Sequence, residues 1–277
     1  MTTRVLALAA VAATAATSAS AAGLDRSFQS ISPIFNDSGT LSFSHSRVFP
    51  SVTGSDSTGA NYDVGEDYSN TTLAYTHDIS DTFTLGFIID QPFGADVFYN
   101  GDPTANNLAG TAADLSSEAF TLLGKYKLND RVSLIGGVKA QRVNRTTVNL
   151  NGLSYAGAIS TSAVARVAGV DSGTLGAALQ GDTTAIAALG GLGVVSALGA
   201  QVTAQIGQFQ ADGGYSYEQD ADTEYGYVIG AAYEIPDIAL RFAVTYHSEI
   251  DYTVNSTETL LGNPISGTTT FVTPESL

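Results

Sequence analysis

The chain has 277 residues, with 11 Lys+Arg against 27 Asp+Glu, and its formal net charge of −16 repels phosphate backbones and excludes nucleic acid as a partner. Cysteine is absent and only three histidines occur (His45, His77, His247), which removes disulfides and thiolate chemistry and leaves little for a metal, so no cofactor or metal is expected. Only 14% of residues are charged, below the roughly 25% of a soluble domain, yet mean hydropathy is just +0.11, which suits strands alternating apolar and polar positions.

Residues 1–21 read as a secretory signal: Arg4 opens it, Val5 to Ala16 is apolar, and Ala19-Ser20-Ala21 is a small-residue cleavage site. That apolar core is too short to cross a bilayer, which takes roughly 20 residues. The mature chain then begins near Ala22 outside the cytoplasm, either as a soluble secreted protein or as an outer-membrane barrel.

A period of two follows. Leu41, Phe43 and His45 alternate with serines, and Leu73, Tyr75, His77 and Ile79 alternate with Ala74, Thr76 and Asp78. Phe83 to Ile89, Phe120 to Leu128, Val132 to Ala140 and Tyr225 to Tyr233 repeat the pattern. The longest run is Ile238, Leu240, Phe242, Val244 and Tyr246, with Ile250, Tyr252 and Val254 read in the same phase. Segments of about ten such residues are what barrel strands require, apolar side to lipid.

Ser80-Asp81-Thr82, Asn129-Asp130-Arg131 and Pro236-Asp237 join these runs in pairs. Pairing 79 with 83, 128 with 132 and 235 with 238 puts the apolar residues of each hairpin on one face. The intervening loops, 91–117, 145–222 and 255–267, are long. Short turns on one rim and long loops on the other is the plan of outer-membrane barrels. Tyr126, Tyr227, Tyr233 and Tyr246 fall near strand ends, where interfacial aromatics belong. The opposite face carries Thr121, Lys125, Lys127, Lys139, Gln141, Glu234, Arg241, Thr245 and His247. A soluble sandwich would also have a wet face, but the other face is almost uncharged over six strands.

Within the loop 145–222, Val195, Leu198, Val202, Ile206 and Phe209 fall on one helical stripe, with Gln201, Gln205 and Gln208 elsewhere. Such a stripe is read as a packed or groove-lining helix rather than a spanning one.

Specific strings resemble the FadL family of outer-membrane long-chain fatty acid and hydrocarbon transporters. They are Thr84 to Gly94, Lys125 to Asp130 with Val132-Ser133-Leu134, Gly226 to Gly230 leading to Tyr233-Glu234, and Ala243 to Ile250. The resemblance covers about residues 68–277. It implies a fourteen-stranded antiparallel transmembrane β-barrel plugged by an N-terminal hatch, with apolar ligands leaving sideways at a kinked third strand. The segment before the first strand is shorter than the family's hatch and lacks its Asn-Pro-Ala motif. The expected organisation is a signal (1–21), a short hatch-like segment (22–39) with Phe28, Ile31 and Phe35 as candidate hatch residues, and an incomplete all-β barrel (40–277), about half of the family's. Seven strands and the start of an eighth at Thr268 are counted, and the chain is read as a C-terminally truncated product.

On this reading the protein sits in the bacterial outer membrane, acts as a monomer, and has membrane lipid and a long-chain fatty acid or other apolar molecule as partners. It is not an enzyme. The stripe Val195, Leu198, Val202, Ile206 and Phe209 is the candidate outer groove, or else packs the loop onto the rim. Lys139, Arg142 and Arg145 are candidate partners for a ligand carboxylate, or else pair with acids such as Glu234 or Asp90. Pro92, Phe93 and Gly94 interrupt a strand and mark the candidate lateral gate, since Pro removes a ladder donor and Gly tolerates a bulge. The alternative function is a small structural or adhesive barrel without transport.

Overall fold

Antiparallel strands dominate the computed structural model, which describes residues 24–277; the signal segment lies outside the described residues. In chain order come β1 (Thr40–Val48), a small hairpin of β2 (Thr53–Ser55) and β3 (Asn61–Asp63), then β4 (Tyr68–Asp78), β5 (Phe83–Asp90), β6 (Gly94–Phe98), β7 (Ala112–Lys127), β8 (Val132–Val143) and β9 (Thr146–Leu150). Four helices follow: α1 (Leu153–Ala168), α2 (Ser172–Leu179), α3 (Thr183–Ala188) and α4 (Leu192–Ala211). The chain continues with β10 (Tyr215–Gln219), β11 (Asp222–Ile235), β12 (Leu240–His247), β13 (Ile250–Leu260) and β14 (Asn263–Thr273).

Seven strands form one wall in the order β1-β4-β5-β7-β8-β11-β12, every neighbour antiparallel. The outer edges of β1 and β12 have no ladder partner among the described residues. Above the wall, β6, the Ala112–Ser116 end of β7, β9, β10, β13 and β14 make a second sheet. β7 belongs to both sheets and holds them together.

The wall is apolar and exposed on its outer face, while its buried inner face mixes polar side chains with an apolar patch, unlike a soluble sheet. On β5, Thr84, Gly86, Ile88 and Asp90 are buried while Phe87 and Ile89 are exposed. Phe120, Leu134, Val138, Ile229, Phe242 and Val244 are likewise exposed, whereas Thr121, Lys125, Ser133, Lys139, Gln141 and His247 are buried. Such a face is tolerable only against acyl chains.

Two of the expected hairpin registers hold, with Asp78 opposite Thr84 and Lys127 opposite Ser133. In the third, Ile235 pairs with Leu240 rather than residue 238, because a 3-10 turn at Pro236–Ile238 and Ala239 at φ 51° lengthen the connection. The shift of two keeps the side-chain phase. The long loops are shorter than expected, since β6, β9, β10, β13 and β14 carry the strands onward; the eighth strand starts at Asn263 rather than Thr268. One reading fails outright. Ile250, Tyr252 and Val254 do not continue the lipid-facing run of β12 but are buried, at 2%, 1% and 3% exposure. The break at 248–249 reverses their phase.

The N-terminal segment crosses the inner face. A 3-10 turn at Ser32–Phe35 places Ile31 and Ile34 in a core with Ala74, Ile88, Leu123, Ile135, Val228 and Ala232. Gly86 packs directly against it, and an added Cβ would stand 2.5 Å from the Ile34 Cδ1 and push that side chain aside. Thr76 Oγ1 donates to the Pro33 carbonyl at 2.6 Å.

The helices form a lobe of their own. Asp171 and Asp182 cap α2 and α3 by accepting from the amides of Thr174 and Ala185. Among the described residues, no helix is long and apolar enough to cross a membrane.

Candidate functional site

The third strand is broken where the sequence places Pro92, Phe93 and Gly94. β5 ends opposite β7 at Asp90–Ala119 and β6 begins at Gly94–Ser116, so three residues face two and form a bulge. Ser117 Oγ spans the bulge, accepting from the Phe93 amide and donating to its carbonyl, both at 2.9 Å. On the other side the β4–β5 ladder stops at Leu73–Ile89 and resumes in the same register only at Gly65–Val97. Pro92 has no amide to offer in between, and the wall is interrupted there.

The N-terminal segment fills the interruption with backbone. The Arg26 amide donates to the Pro92 carbonyl (2.7 Å) and the Gly94 amide to the Leu24 carbonyl (2.9 Å), with Asp25 bridged to Phe93. From the β4 side, Asn70 Nδ2 donates to the Arg26 carbonyl at 2.7 Å, and Gln91 Oε1 accepts from the Thr71 amide at 2.9 Å. The Arg26 side chain pairs with Asp96 at 3.0 Å and lies 3.9 Å from the Tyr68 ring centroid. Gly94 is needed for this fit, because any Cβ there would strike the Arg26 guanidinium.

Beyond Arg26 the segment turns sharply inward. Asp25 Oδ1 accepts from the amides of Ser27 and Phe28, and Phe28 and Gln29 take positive φ of 53° and 45°. Ser27 Oγ donates to Asp90 at 2.6 Å, and Lys139 Nζ donates to Gln29 Oε1. Asp90, Lys139, His247, Gln29 and Thr121 line one small inner cavity, where His247 Nδ1 has no hydrogen-bond partner.

The expected site residues are therefore split among three places. Pro92, Phe93 and Gly94 meet Leu24–Arg26 at the break. Of the hatch residues, Ile31 is in the core, Phe35 lies between Lys125 and Arg241 at 4.9 and 4.2 Å from its ring centroid, and Phe28 is 87% exposed. Lys139 faces inward and is buried; Arg142 is exposed on the outward face opposite Glu118, and Arg145 is paired with Glu218 outside the wall. The stripe of α4 turns into the lobe. Leu198 and Val202 pack on Val164, Ala165 and Leu175, with Ile206 beside them; Val195 packs on Ala178 and Ala185; and Phe209 is fully buried. Sequence reasoning missed Arg26, Ser27, Gln29 and Ile34. Its one available signal was the adjacent Asp25-Arg26 pair, which holds the one basic residue between Ala22 and the first strand.

A wall of antiparallel strands with a lipid-compatible outside, buried polar and charged side chains inside and an N-terminal segment across it defines a strand-built membrane protein. The family model described as "Outer membrane protein transport protein (OMPP1/FadL/TodX)" matches residues 11–272. The chain belongs to this family, and its place is the bacterial outer membrane. The family is one of transporters, not of enzymes. Among solved structures, a FadL homologue from Pseudomonas aeruginosa is similar at 16% identity and TM-score 0.44, over 76% of this chain and 38% of that one. The chain thus spans well under half the length of that relative. No curated protein matches.

Proposed function

We propose that this protein passes long-chain fatty acids or similarly apolar molecules across the outer membrane without a chemical step. In this reading residues 22–39 are the hatch and 40–277 belong to the barrel wall, a monomer surrounded by lipid. The ligand leaves sideways between β4 and β5–β6 when Leu24–Arg26 withdraws from the break at Pro92, Phe93 and Gly94. One observation carries the reading: a foreign stretch of backbone occupies the wall where its ladder is interrupted, held by hydrogen bonds at 2.7 and 2.9 Å.

Removing an apolar chain from water is worth about 0.8 kcal/mol per CH₂, so length supplies most of the affinity. Lys139, at the inner cavity, is the candidate cation for a headgroup, and a carboxylate reaching it would replace Gln29 Oε1. Arg145, already engaged by Glu218, is the weaker candidate. The stripe of α4 serves the lobe's packing, and an outer groove would use the lobe's surface rather than that stripe.

Uptake tests this directly. Cells lacking endogenous fatty acid and hydrocarbon uptake, supplied with the protein, are expected to take up labelled oleate or an aromatic hydrocarbon several-fold faster than the vector control. Correct insertion with no gain for either class favours a structural barrel.

A further inference from the structure

The wall is interrupted a second time, between β11 and β13. Below, β11 pairs with β12 from Ile235–Leu240 up to Val228–His247; above, β10 pairs with β13 from Gln219–Ser256 to Tyr215–Leu260. Both ladders keep one register, yet the stretch between them, 221–226 against 249–254, carries no ladder. It is bounded by the Ser248 amide donating to the Tyr227 carbonyl (3.0 Å) and the Asp220 amide donating to the Asn255 carbonyl (2.9 Å). Within it β11 is paired with β8 from Asp222 onward, and β13 with β14 from Ile250 onward.

Side-chain phase explains the gap. Residues facing each other across an antiparallel ladder must point to the same side, and a slip of one residue flips them all. On one strand the buried positions change from odd to even between Gln219 and β11, whose buried Val228 and Ala232 are even. On the other they change between His247 and Ile250. The reversals occur at opposite ends of the gap. Between them the common register sets inward positions of β11 against outward positions of β13, and no ladder forms.

Side chains, not backbone, fill this gap. Ile250, Tyr252 and Val254 pack inward on Val143 and Phe271. The Tyr252 ring stacks on Phe271 at 4.9 Å and 5°, and its hydroxyl donates to the Gln141 carbonyl of β8 at 3.1 Å. Gln141 itself is fully buried with Oε1 unpartnered. Outside stand Tyr225 and Tyr227, 74% and 49% exposed. Between the inner face and the lipid side the unladdered stretch is therefore closed by four side chains, Ile250, Tyr252, Val254 and Phe271, with Gly226 of β11 against Ile250 and the inward acids Asp222 and Glu224 near Tyr252.

We infer that the β11–β13 interruption is a second lateral opening, admitting apolar or aromatic molecules between the interior and the outer leaflet past Ile250, Tyr252 and Val254. The inference rests on the transport reading above for its direction of use, but its access is measurable without transport. The chain contains no Trp, so single tryptophans report cleanly. In the full chain reconstituted into vesicles of phosphatidylcholine brominated on its acyl chains, Tyr225→Trp reports lipid contact. Val228→Trp, buried within intact ladders on both sides, reports a closed wall. Tyr252→Trp is expected to be quenched at least threefold more than Val228→Trp and less than Tyr225→Trp. Phe271→Trp repeats the measurement should Tyr252→Trp lose its heat-modifiable gel mobility, and the same ordering is expected. Quenching of both no greater than Val228→Trp overturns the second opening, even if uptake is intact. Quenching in the predicted order without any uptake upholds the opening and overturns the transport reading alone.

Discussion

The two interruptions in the wall differ in cause and in filling. Between β4 and β5–β6 the ladder fails where Pro92 removes a donor, and a separate piece of chain, Leu24–Arg26, supplies the missing backbone partners. Between β11 and β13 every residue could donate, but the side-chain phase reverses at different heights, and Ile250, Tyr252 and Val254 fill the space. A backbone filler satisfies the exposed amides and carbonyls without belonging to either strand it seals. A side-chain filler is part of the strand it seals, so its loss weakens the wall itself. In lipid, where each unsatisfied backbone group costs several kcal/mol, the first interruption is the better sealed.

Truncation separates the two most sharply. Tyr252→Ala removes a ring that is 1% exposed and stacked on Phe271, and should cost about 4 kcal/mol. The expected readout is a lower denaturant midpoint for loss of heat-modifiable mobility of the whole wall. Ile34→Ala, at a fully buried position packed against Gly86, should cost about 3 kcal/mol. That loss should fall on docking of the N-terminal segment, seen as faster amide exchange over 24–36 with the strand amides unchanged. If Ile34→Ala lowers the wall's midpoint as much as Tyr252→Ala, the contrast between separate and integral filler is wrong.

A smaller perturbation acts on the first filler alone. Gly94→Val drives a side chain into the Arg26 guanidinium, so Arg26 should leave Asp96 and Tyr68. Cleavage after Arg26 by an arginine-specific protease is expected to rise about tenfold in rate, which corresponds to roughly 1.4 kcal/mol of lost protection. Unchanged cleavage would mean that Arg26 does not hold the segment.

The mildest effect lies outside both interruptions, in the β2–β3 hairpin. Asp56 pays burial against its ionised form, but donors from Thr58, Tyr62 and the amide of Asn107 outweigh it and hold the carboxyl below its ordinary 3.8. With the folded value depressed, the contribution is complete above about pH 4 and is lost as pH falls toward the folded value. Protease sensitivity of residues 53–63 should rise only below that pH, and Asp56→Asn should show the acid-like sensitivity at pH 7.

Much of this was legible in the residue pattern. Alternation of Phe83, Leu85, Phe87 and Ile89 with Thr84 and Asp90 fixes which side of β5 meets lipid, and Pro92 marks the strand break. The turn at Asn129-Asp130-Arg131 sets the β7–β8 register. What escaped is relational. Ile250, Tyr252 and Val254 have the same parity as Phe242 and Val244, and only a break at 248–249 turns them inward; nothing local announces it. Arg26 and Gln29 matter through Asp96 and Lys139, 70 and 110 residues away. The stripe from Val195 to Phe209 was visible as a stripe, but which surface it covers depends on where α1 and α2 fold.

The central claim is that Leu24–Arg26 closes a sideways exit. Asp25 and Phe93 are bridged across the break, and the chain has no other cysteine, so Asp25→Cys with Phe93→Cys forms a single lock. Uptake of labelled oleate should fall to the vector level when the lock is oxidised and return on reduction; uptake indifferent to the lock would contradict the account.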